Sequence, residues 1–310
     1  MVDNSLKARK RTAFRQRQLP LILLSLPAII YIIMFNYAPM FGVIMAFKDY
    51  NYVDGIFGSP WAGFKYFKYF FESVDSLKVI RNTMADSAWF QVVHVVCSSC
   101  VALMLYEVTS KKAIGIYQVS TMMPFFISAV LVAYIVYALL SNKYGIVNVL
   151  ITSLGGEPIN WYAEPKYWPA ILTMVKIWTD TGMNCLLYYG ALMGIDPSLF
   201  EAAKMDGAGR LKRVWHISVP CLMPIISITS IMAVGNILGG SFAFFFQVPR
   251  DSGALYSTTD ILATYVYRGL RAGDLSQNAA IGLFSSLVGM ILTISVNAFV
   301  RKISPKNAMF

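Results

Sequence analysis

Two opposite charges, Lys176 and Asp180, lie four positions apart in the segment Tyr167–Ile195, which carries no other charged residue. Residues four apart share one face of a helix, so the two side chains can pair with each other or face a wet cavity. A charge at the centre of a membrane helix costs roughly 2.5 to 3.5 kcal/mol on insertion scales, so neither is expected to face lipid. The pair therefore predicts an ion pair or part of a path for a polar solute.

Polar and aromatic residues continue along this segment and reappear in the next apolar one. Rings can stack on a sugar, and amides and hydroxyls can bond its hydroxyl groups, whereas hydrogen bonds between membrane helices use the same residue types. Both readings stay open. The residues that we assign to a candidate substrate path are Lys176, Trp178, Asp180, Asn184, Tyr188 and Asn236.

A charge-dense loop, residues 196–220, separates two apolar segments. Asp196 followed by Pro197 predicts a helix start, because aspartate caps helix N-termini and proline suits the first helical position. Gly207 predicts the end of this helix, and Asp206 is expected to fix the turn that follows.

The loop has two further features. Ala202 and Ala203 leave a strip of small side chains on which another backbone can lie closely. After the turn we expect a second short amphipathic helix, Arg210–Ile217, with Pro220 and Pro224 resetting the backbone before the next apolar segment.

Several kinds of chemistry have no sequence signal. The phosphate-binding pattern G-x-x-x-x-G-K-[ST] does not occur, so we expect no ATPase activity in the chain itself. Cys97 and Cys100 have no second ligand pair, and the two histidines, His94 and His216, are far apart in sequence. We therefore expect neither a metal site nor a bound cofactor.

The composition places these residues in a membrane. The chain is 57% hydrophobic and 14% charged, with a mean hydropathy of +0.57, whereas soluble domains are about 25% charged. A membrane helix needs about 20 apolar residues. We predict an all-α membrane protein with six transmembrane helices within Leu19–Phe47, Ser87–Tyr106, Ala113–Asn142, Tyr167–Ile195, Val214–Pro249 and Leu275–Val300.

Basic residues indicate the orientation. They are densest before the first span, at Lys111 and Lys112, within 196–220 and after the last span, so we expect both termini in the cytoplasm. The net charge of +10 follows from this bias and predicts no nucleic-acid partner. We divide the chain into a basic cytoplasmic segment, 1–18, and one membrane domain, 19–310.

The spacing within the loop is more specific than its composition. The motif reads Glu201-Ala202-Ala203, three residues, Gly207, nine residues, Ile217, one residue, Val219-Pro220. It resembles the EAA loop in the membrane subunits of bacterial ATP-binding-cassette (ABC) importers. Val219 stands where the family usually has leucine.

Other stretches extend this resemblance over nearly the whole chain. They resemble the carbohydrate-uptake permeases, most of all the subgroup that imports polysaccharide fragments in Gram-positive bacteria. These stretches are FNYAPMFGVIMAFKDYN from Phe35, SPWAGF from Ser59, RNTM from Arg81, IDPSLFEAAKMDGAG from Ile195 and TYVYRGLRAGDLSQNAAIGLF from Thr264.

The resemblance implies a type I ABC importer permease fold, in which the EAA helix is a cytoplasmic coupling helix seated in a cleft of a separate ATPase. Glu201 would make polar contact there, the two alanines would permit close approach, and Gly207 would permit the turn out of the cleft. The implied ATPase-coupling residues are Glu201, Ala202, Ala203, Asp206, Gly207 and Pro220.

The resemblance also implies partners. These are a second homologous permease subunit, two ATP-binding subunits that hold the ATP, an extracellular lipid-anchored solute-binding protein and an oligosaccharide substrate. The chain would be a non-catalytic, multi-pass subunit in a bacterial cell membrane.

Two other classes of function are alternatives to an importer subunit. An ion-coupled secondary transporter of a small solute would use an intramembrane carboxylate, for which Asp180 is the deep candidate, and such transporters usually carry inverted repeats, which we do not find. A membrane-embedded transferase would need acids or histidines clustered at one membrane face, and the sequence suggests no such cluster.

Overall fold

A computed structural model describes residues 20–235 and 237–303 of the chain. In these residues the regular structure is helical, and β-structure is limited to one isolated antiparallel bridge between Lys48 and Trp61. The predicted all-α class is confirmed. The main helices are α1 (Pro20–Phe47), α2 (Lys65–Glu72), α3 (Ser76–Tyr106), α4 (Lys111–Met122), α5 (Ala129–Leu140), α6 (Ile146–Ser153), α7 (Trp168–Met193), α8 (Pro197–Met205), α9 (Arg210–Gly235), α10 (Phe242–Gln247), α11 (Leu262–Ala272) and α12 (Leu275–Ile303).

Short helical turns connect these elements. Two are single α-helical turns and the others are 3₁₀ turns. Their bounds are Gly55–Gly58, Met123–Phe126, Trp161–Ala163, Pro165–Tyr167, Gly253–Leu255 and Tyr256–Thr259.

Four of the described helices, α1, α3, α9 and α12, are long and apolar enough to cross a membrane. The count rises to five if α4 and α5, which are bent by 95° at a short break, together form one span. Helix α7 is 26 residues long, about 39 Å at 1.5 Å per residue, but its polar residues keep it out of the apolar set. Helix length and composition therefore support four or five of the six predicted spans.

The third predicted span, Ala113–Asn142, is not one straight helix. Pro124 lies in the 3₁₀ turn that ends α4, and Ser128 then caps α5 by accepting a hydrogen bond from Leu131 N at 3.4 Å. Proline lacks the N–H that a continuing helix needs, and a capping serine begins a new one. These two residues account for the 95° bend.

The fifth predicted span, Val214–Pro249, is also corrected. The helix starts earlier, at Arg210, runs through Pro220 and Pro224 without a reset, and ends at Gly235. A π-helical stretch, Val214–Ser218, precedes Pro220. Its wider turn gives the proline ring room next to the preceding carbonyl groups, so the helix continues.

The described residues form two compact units, of which the first comprises the described part of Met1–Lys68 together with Leu275–Leu283. Within it, the ring of Phe47 lies 5.8 Å from that of Trp61. The Asp49 carboxylate pairs with Lys65 Nζ at 2.7 Å, and this hydrogen bond lowers the pKa of Asp49. The predicted boundary between 1–18 and 19–310 falls at residues outside the described part and stays a prediction.

The second unit comprises Tyr69–Asp274 and the described part of Phe284–Phe310. Helix α7 runs through its core, where Trp168 packs in one buried apolar cluster with Phe244 of α10. Further along α7, Tyr188 and Leu192 pack in a second cluster with Leu222 of α9. The second unit contains both candidate sites.

Candidate functional site

The helix predicted at the start of the charged loop is present as α8. The Asp196 carboxylate accepts a hydrogen bond from Ser198 N at 2.9 Å, and Pro197 occupies the first helical position. The hydrogen bond from Ser198 favours the ionised carboxylate and lowers the pKa of Asp196. The predicted helix start is confirmed.

Helix α8 ends at a Schellman motif. Gly207 has φ +73°, Gly207 N donates to Lys204 O at 3.0 Å, and Ala208 N donates to Ala203 O at 2.9 Å. Glycine suits this left-handed position because it has no Cβ. Asp206 is exposed, and within the described residues its side chain makes no hydrogen bond. The turn is therefore fixed by the backbone, not by the Asp206 side chain as the sequence suggested.

One side of α8 is fixed to the unit and the other is open. The ring of Phe200 lies 5.7 Å from that of Tyr106 at the end of α3, and Arg210 Nε lies 3.7 Å from Glu107 Oε2. In contrast, Glu201 and Ala202 are exposed and Ala203 is half-buried.

Large apolar side chains on and after α8 are also exposed. Leu199 is 49% exposed, Met205 88%, Leu211 74% and Trp215 65%. The remaining predicted coupling residue, Pro220, lies further along the chain in α9 and is exposed. The loop thus combines a capped short helix with an apolar and charged surface that a partner can cover.

The second candidate site surrounds the two charges of α7. Lys176 Nζ lies 2.7 Å from Asp180 Oδ2, with side chains 21% and 27% exposed. Lys176 also donates to Ser241 Oγ at 3.2 Å, and Thr179 donates to Asp180 Oδ1 at 2.7 Å. The predicted face-sharing is confirmed, and Ser241 and Thr179 complete a network around the ion pair.

A histidine from α3 extends this network. His94 Nε2 lies 3.2 Å from the backbone oxygen of Asp180 and 2.8 Å from Asn184 Nδ2. One ring nitrogen cannot donate to the carbonyl and accept from the amide at once, so the tautomer decides which bond forms. The predicted path residue Asn184 is thereby joined to His94, which is not among the residues assigned to the path.

The other predicted path residues lie elsewhere. Trp178 is 43% exposed and lines neither of the cavities beside the ion pair. Tyr188 is buried in the core, and its hydroxyl lies 3.3 Å from Thr229 Oγ1 of α9. Asn236 lies outside the described residues.

Two cavities meet at the ion pair. One, of about 340 Å³, lies between α7, α10 and the residues before and at the start of α5, and the other, of about 230 Å³, lies on the α3 side. Lys176, Asp180 and Ser241 line both, and His94 lines the second. A charged pair with hydroxyl neighbours between two open spaces can exchange its internal hydrogen bonds for bonds to a polar ligand.

The chain resembles known transport proteins. Residues 95–308 match the model of a family described as "Binding-protein-dependent transport system inner membrane component". The chain is 35% identical over 283 residues to Protein LplB of Bacillus subtilis (strain 168), covering 91% of this chain and 88% of LplB.

It is also 34% identical over 283 residues to the polygalacturonan/rhamnogalacturonan transport system permease protein YteP of the same organism, with the same coverage of both chains. A solved bacterial ABC transporter involved in the import of the acidic polysaccharide alginate superposes with a TM-score of 0.87 at 30% identity. That superposition covers 95% of this chain and 99% of the other.

Proposed function

The chain belongs to the family of binding-protein-dependent transport system inner membrane components, and from this we propose that it is the permease subunit of an oligosaccharide importer driven by ATP. The strongest support is the likeness, over 95% of this chain, to a chain of an alginate ABC transporter, together with the relative whose name specifies polygalacturonan and rhamnogalacturonan transport. The subunit itself is a multi-pass membrane protein that hydrolyses nothing. The ATP is bound by its partners.

We further propose six spans with both termini in the cytoplasm. In this arrangement the bent pair α4 and α5 is the third span and α7 is the fourth. Helix α7 is long enough to cross, and its two charges pair with each other, which reduces the cost of placing them in the membrane.

Helix α8 is proposed as the part that contacts a separate ATPase. Its Asp196 cap and the Gly207 turn make it a short, well-defined helix, and its contact with Tyr106 anchors it to α3. Glu201 and Ala202 face away from the unit, and Ala203 is small enough for close approach of another backbone. A rigid helix of this kind can pass a movement of the ATPase to α7 and α9, which flank the loop.

The partners follow from this proposal. The family description names a binding protein, so we propose an external solute-binding protein that delivers the oligosaccharide. We also propose two ATP-binding subunits and a second, homologous permease subunit.

The substrate is proposed to pass beside the Lys176–Asp180 pair. The pair lines two cavities and has hydroxyl, amide and imidazole neighbours that suit a polyhydroxylated solute. Trp178, Tyr188 and Asn236 complete the proposed set, with Tyr188 in a supporting position.

The decisive variant is Glu201→Lys, assayed in proteoliposomes that hold the complete transporter and its binding protein. We expect ATP-driven oligosaccharide uptake to be abolished while the amount of the chain in the membrane is unchanged. Losing a partner at a mostly buried polar contact costs about 1 to 3 kcal/mol, and reversing the charge adds repulsion. Co-purification of the ATPase subunits should fall in parallel.

Glu157→Lys is the matched control, because Glu157 is also an exposed acid and lies in a different loop. We expect that variant to transport normally. Wild-type uptake by Glu201→Lys would disprove the coupling role of α8, and uptake driven by an ion gradient without ATPase subunits would disprove the importer.

A further inference from the structure

A third cavity, of about 230 Å³, lies apart from the Lys176–Asp180 pair, between α5 and the end of α10. Tyr134 and two small apolar residues line it from α5. Gln247 at the end of α10 lines the other side, followed by Arg250 and Asp251. None of the residues assigned to the substrate path lines this cavity.

The backbone holds Arg250 and Asp251 in an unusual conformation. Their φ angles are +59° and +46°, in the left-handed region that non-glycine residues seldom occupy. Arg250 N donates to Gln247 O at 3.0 Å, and Asp251 N donates to Phe246 O at 3.1 Å. Such conformations persist only where the surroundings fix them, and they cluster at ligand sites. Here the conformation places both side chains at the cavity.

The guanidinium of Arg250 is stacked on one face and otherwise available. Its central carbon lies 4.2 Å from the ring centre of Tyr137, and the residue is exposed. Among the described residues it has no carboxylate at ion-pair distance and no hydrogen-bond acceptor. Stacking uses the face of the guanidinium and leaves its in-plane N–H groups free, and two of these match the two oxygens of a carboxylate.

The other charges nearby are already paired. Asp251 Oδ1 accepts from Arg268 at 3.1 Å and from the Tyr256 hydroxyl at 2.9 Å. Arg268 also lies 2.6 Å from Oδ2 of Asp260, a residue that does not line the cavity. Tyr162, a neighbour of Arg250, is a neutral phenol at pH 7, and burial raises its pKa further, to about 12. Arg250 is thus the cation available to an anionic ligand here.

The remaining lining suits a sugar ring. Tyr134 is 62% exposed, so its ring can stack on the apolar face of a pyranose. Within the described residues the Gln247 amide has no side-chain partner and can bond sugar hydroxyls.

We propose that this cavity is a subsite for a sugar acid, in which Arg250 binds the carboxylate, Tyr134 stacks on the ring and Gln247 bonds a hydroxyl. Its role in transport rests on the proposed function. The subsite would favour acidic over neutral oligosaccharides.

The test is ligand-observed NMR on the assembled transporter in nanodiscs, with galacturonate and its uncharged methyl ester as matched probes. We expect wild type to bind galacturonate more tightly than the ester. Arg250→Gln should weaken galacturonate binding about tenfold or more, because a charge-assisted bidentate contact is lost, and leave the ester unchanged. Arg250→Lys should bind galacturonate with an affinity between those of wild type and Arg250→Gln, because lysine keeps the positive charge but lacks the planar pair of N–H groups.

Two controls keep the result specific. Arg271→Gln removes an exposed arginine of α11 outside the cavity and should bind both probes like wild type. Tyr134→Leu should weaken acid and ester alike. Equal binding of acid and ester by wild type, or undiminished acid binding by Arg250→Gln, would overturn the subsite.

The same proteins, reconstituted in proteoliposomes for uptake, separate the two proposals. Absence of ATP-driven uptake by wild type together with intact galacturonate binding would count against the importer and leave the subsite standing. Uptake that does not distinguish acidic from neutral oligosaccharides in wild type and Arg250→Gln would remove the subsite alone.

Discussion

At the scale of residues, Lys176 and Asp180 are neither surface charges nor fully buried ones, with side chains 21% and 27% exposed. Asp180→Asn or Lys176→Met leaves the other charge unpaired, which we expect to destabilise the chain by about 2 kcal/mol, between the surface and buried cases. The double variant should recover most of this loss, because no unpaired charge remains. Unfolding of the four proteins in detergent gives the coupling energy.

Glu164→Gln is the comparison for this cycle. It breaks the pair between Lys166 and Glu164, whose atoms are 3.6 Å apart and whose side chains are 66% and 47% exposed. The cost there should stay below about 1 kcal/mol. Additive effects of Asp180→Asn and Lys176→Met would show that the α7 pair is not coupled.

The sequence predicted that Lys176 and Asp180 share one helix face and can pair, because four-residue spacing fixes this locally. It did not predict that Ser241, 65 residues away, joins Lys176, or that His94, 86 residues away, reaches Asp180. These contacts depend on how helices pack. The only signal for His94 was a polar residue in an apolar segment, which fits packing equally well.

At the scale of elements, the contact between α4 and α7 depends on one glycine. A Cβ added to Gly182 would overlap the backbone oxygen of Thr121 and lie 2.7 Å from Met122 N. Gly182→Ala must therefore push the helices apart, and we expect a loss of about 1 to 3 kcal/mol in stability. A thermal-unfolding assay in detergent measures the change.

Gly190→Ala provides the matched control on the same helix. No atom lies within 4 Å of the Cβ position at Gly190, so alanine should be neutral or should stabilise α7 by up to about 1 kcal/mol. Equal melting temperatures for the two variants would contradict the close-packing argument.

Helix ends were predictable where a local signal fixes them, and not elsewhere. The start of α8 at Pro197 and its end near Gly207 follow from capping chemistry. The bend after α4 was not predicted, because the span was assigned from the length of the apolar segment alone. Pro124 and Ser128 within that segment are the sequence signals for the bend. At Pro220 the sequence predicted a break in the helix that the structure does not show, since the π-helical turn before the proline lets the helix continue.

At the scale of the whole molecule, the six-span topology predicts on which side of the membrane each loop lies. With the native cysteines replaced, a cysteine at Glu157 should react with an impermeant maleimide in intact cells. One at Lys204 should react only after permeabilisation, because α7 separates the two positions. A cysteine at Lys112 should behave like the one at Lys204.

Reaction of the Glu157 and Lys204 cysteines from the same side would show that α7 does not cross the membrane. Reaction at Lys112 in intact cells would show the same for the paired α4 and α5.

The sequence identified the family from the EAA spacing, and the family match bears this out. It could not fix the span count, because hydropathy is ambiguous for a charged helix and for a bent pair.

The continuity of α9 has a mechanical consequence. Its 26 residues form a rod of about 39 Å whose first residue follows the α8 turn and whose last, Gly235, lies a few positions before Ser241. A tilt of such a rod about its Arg210 end displaces the far end in proportion to its length of about 39 Å. The π-helical turn Val214–Ser218 is the place where α9 would bend. A substitution that stiffens this turn should therefore change how far the Gly235 end moves towards or away from the cavity, without altering either end of the helix.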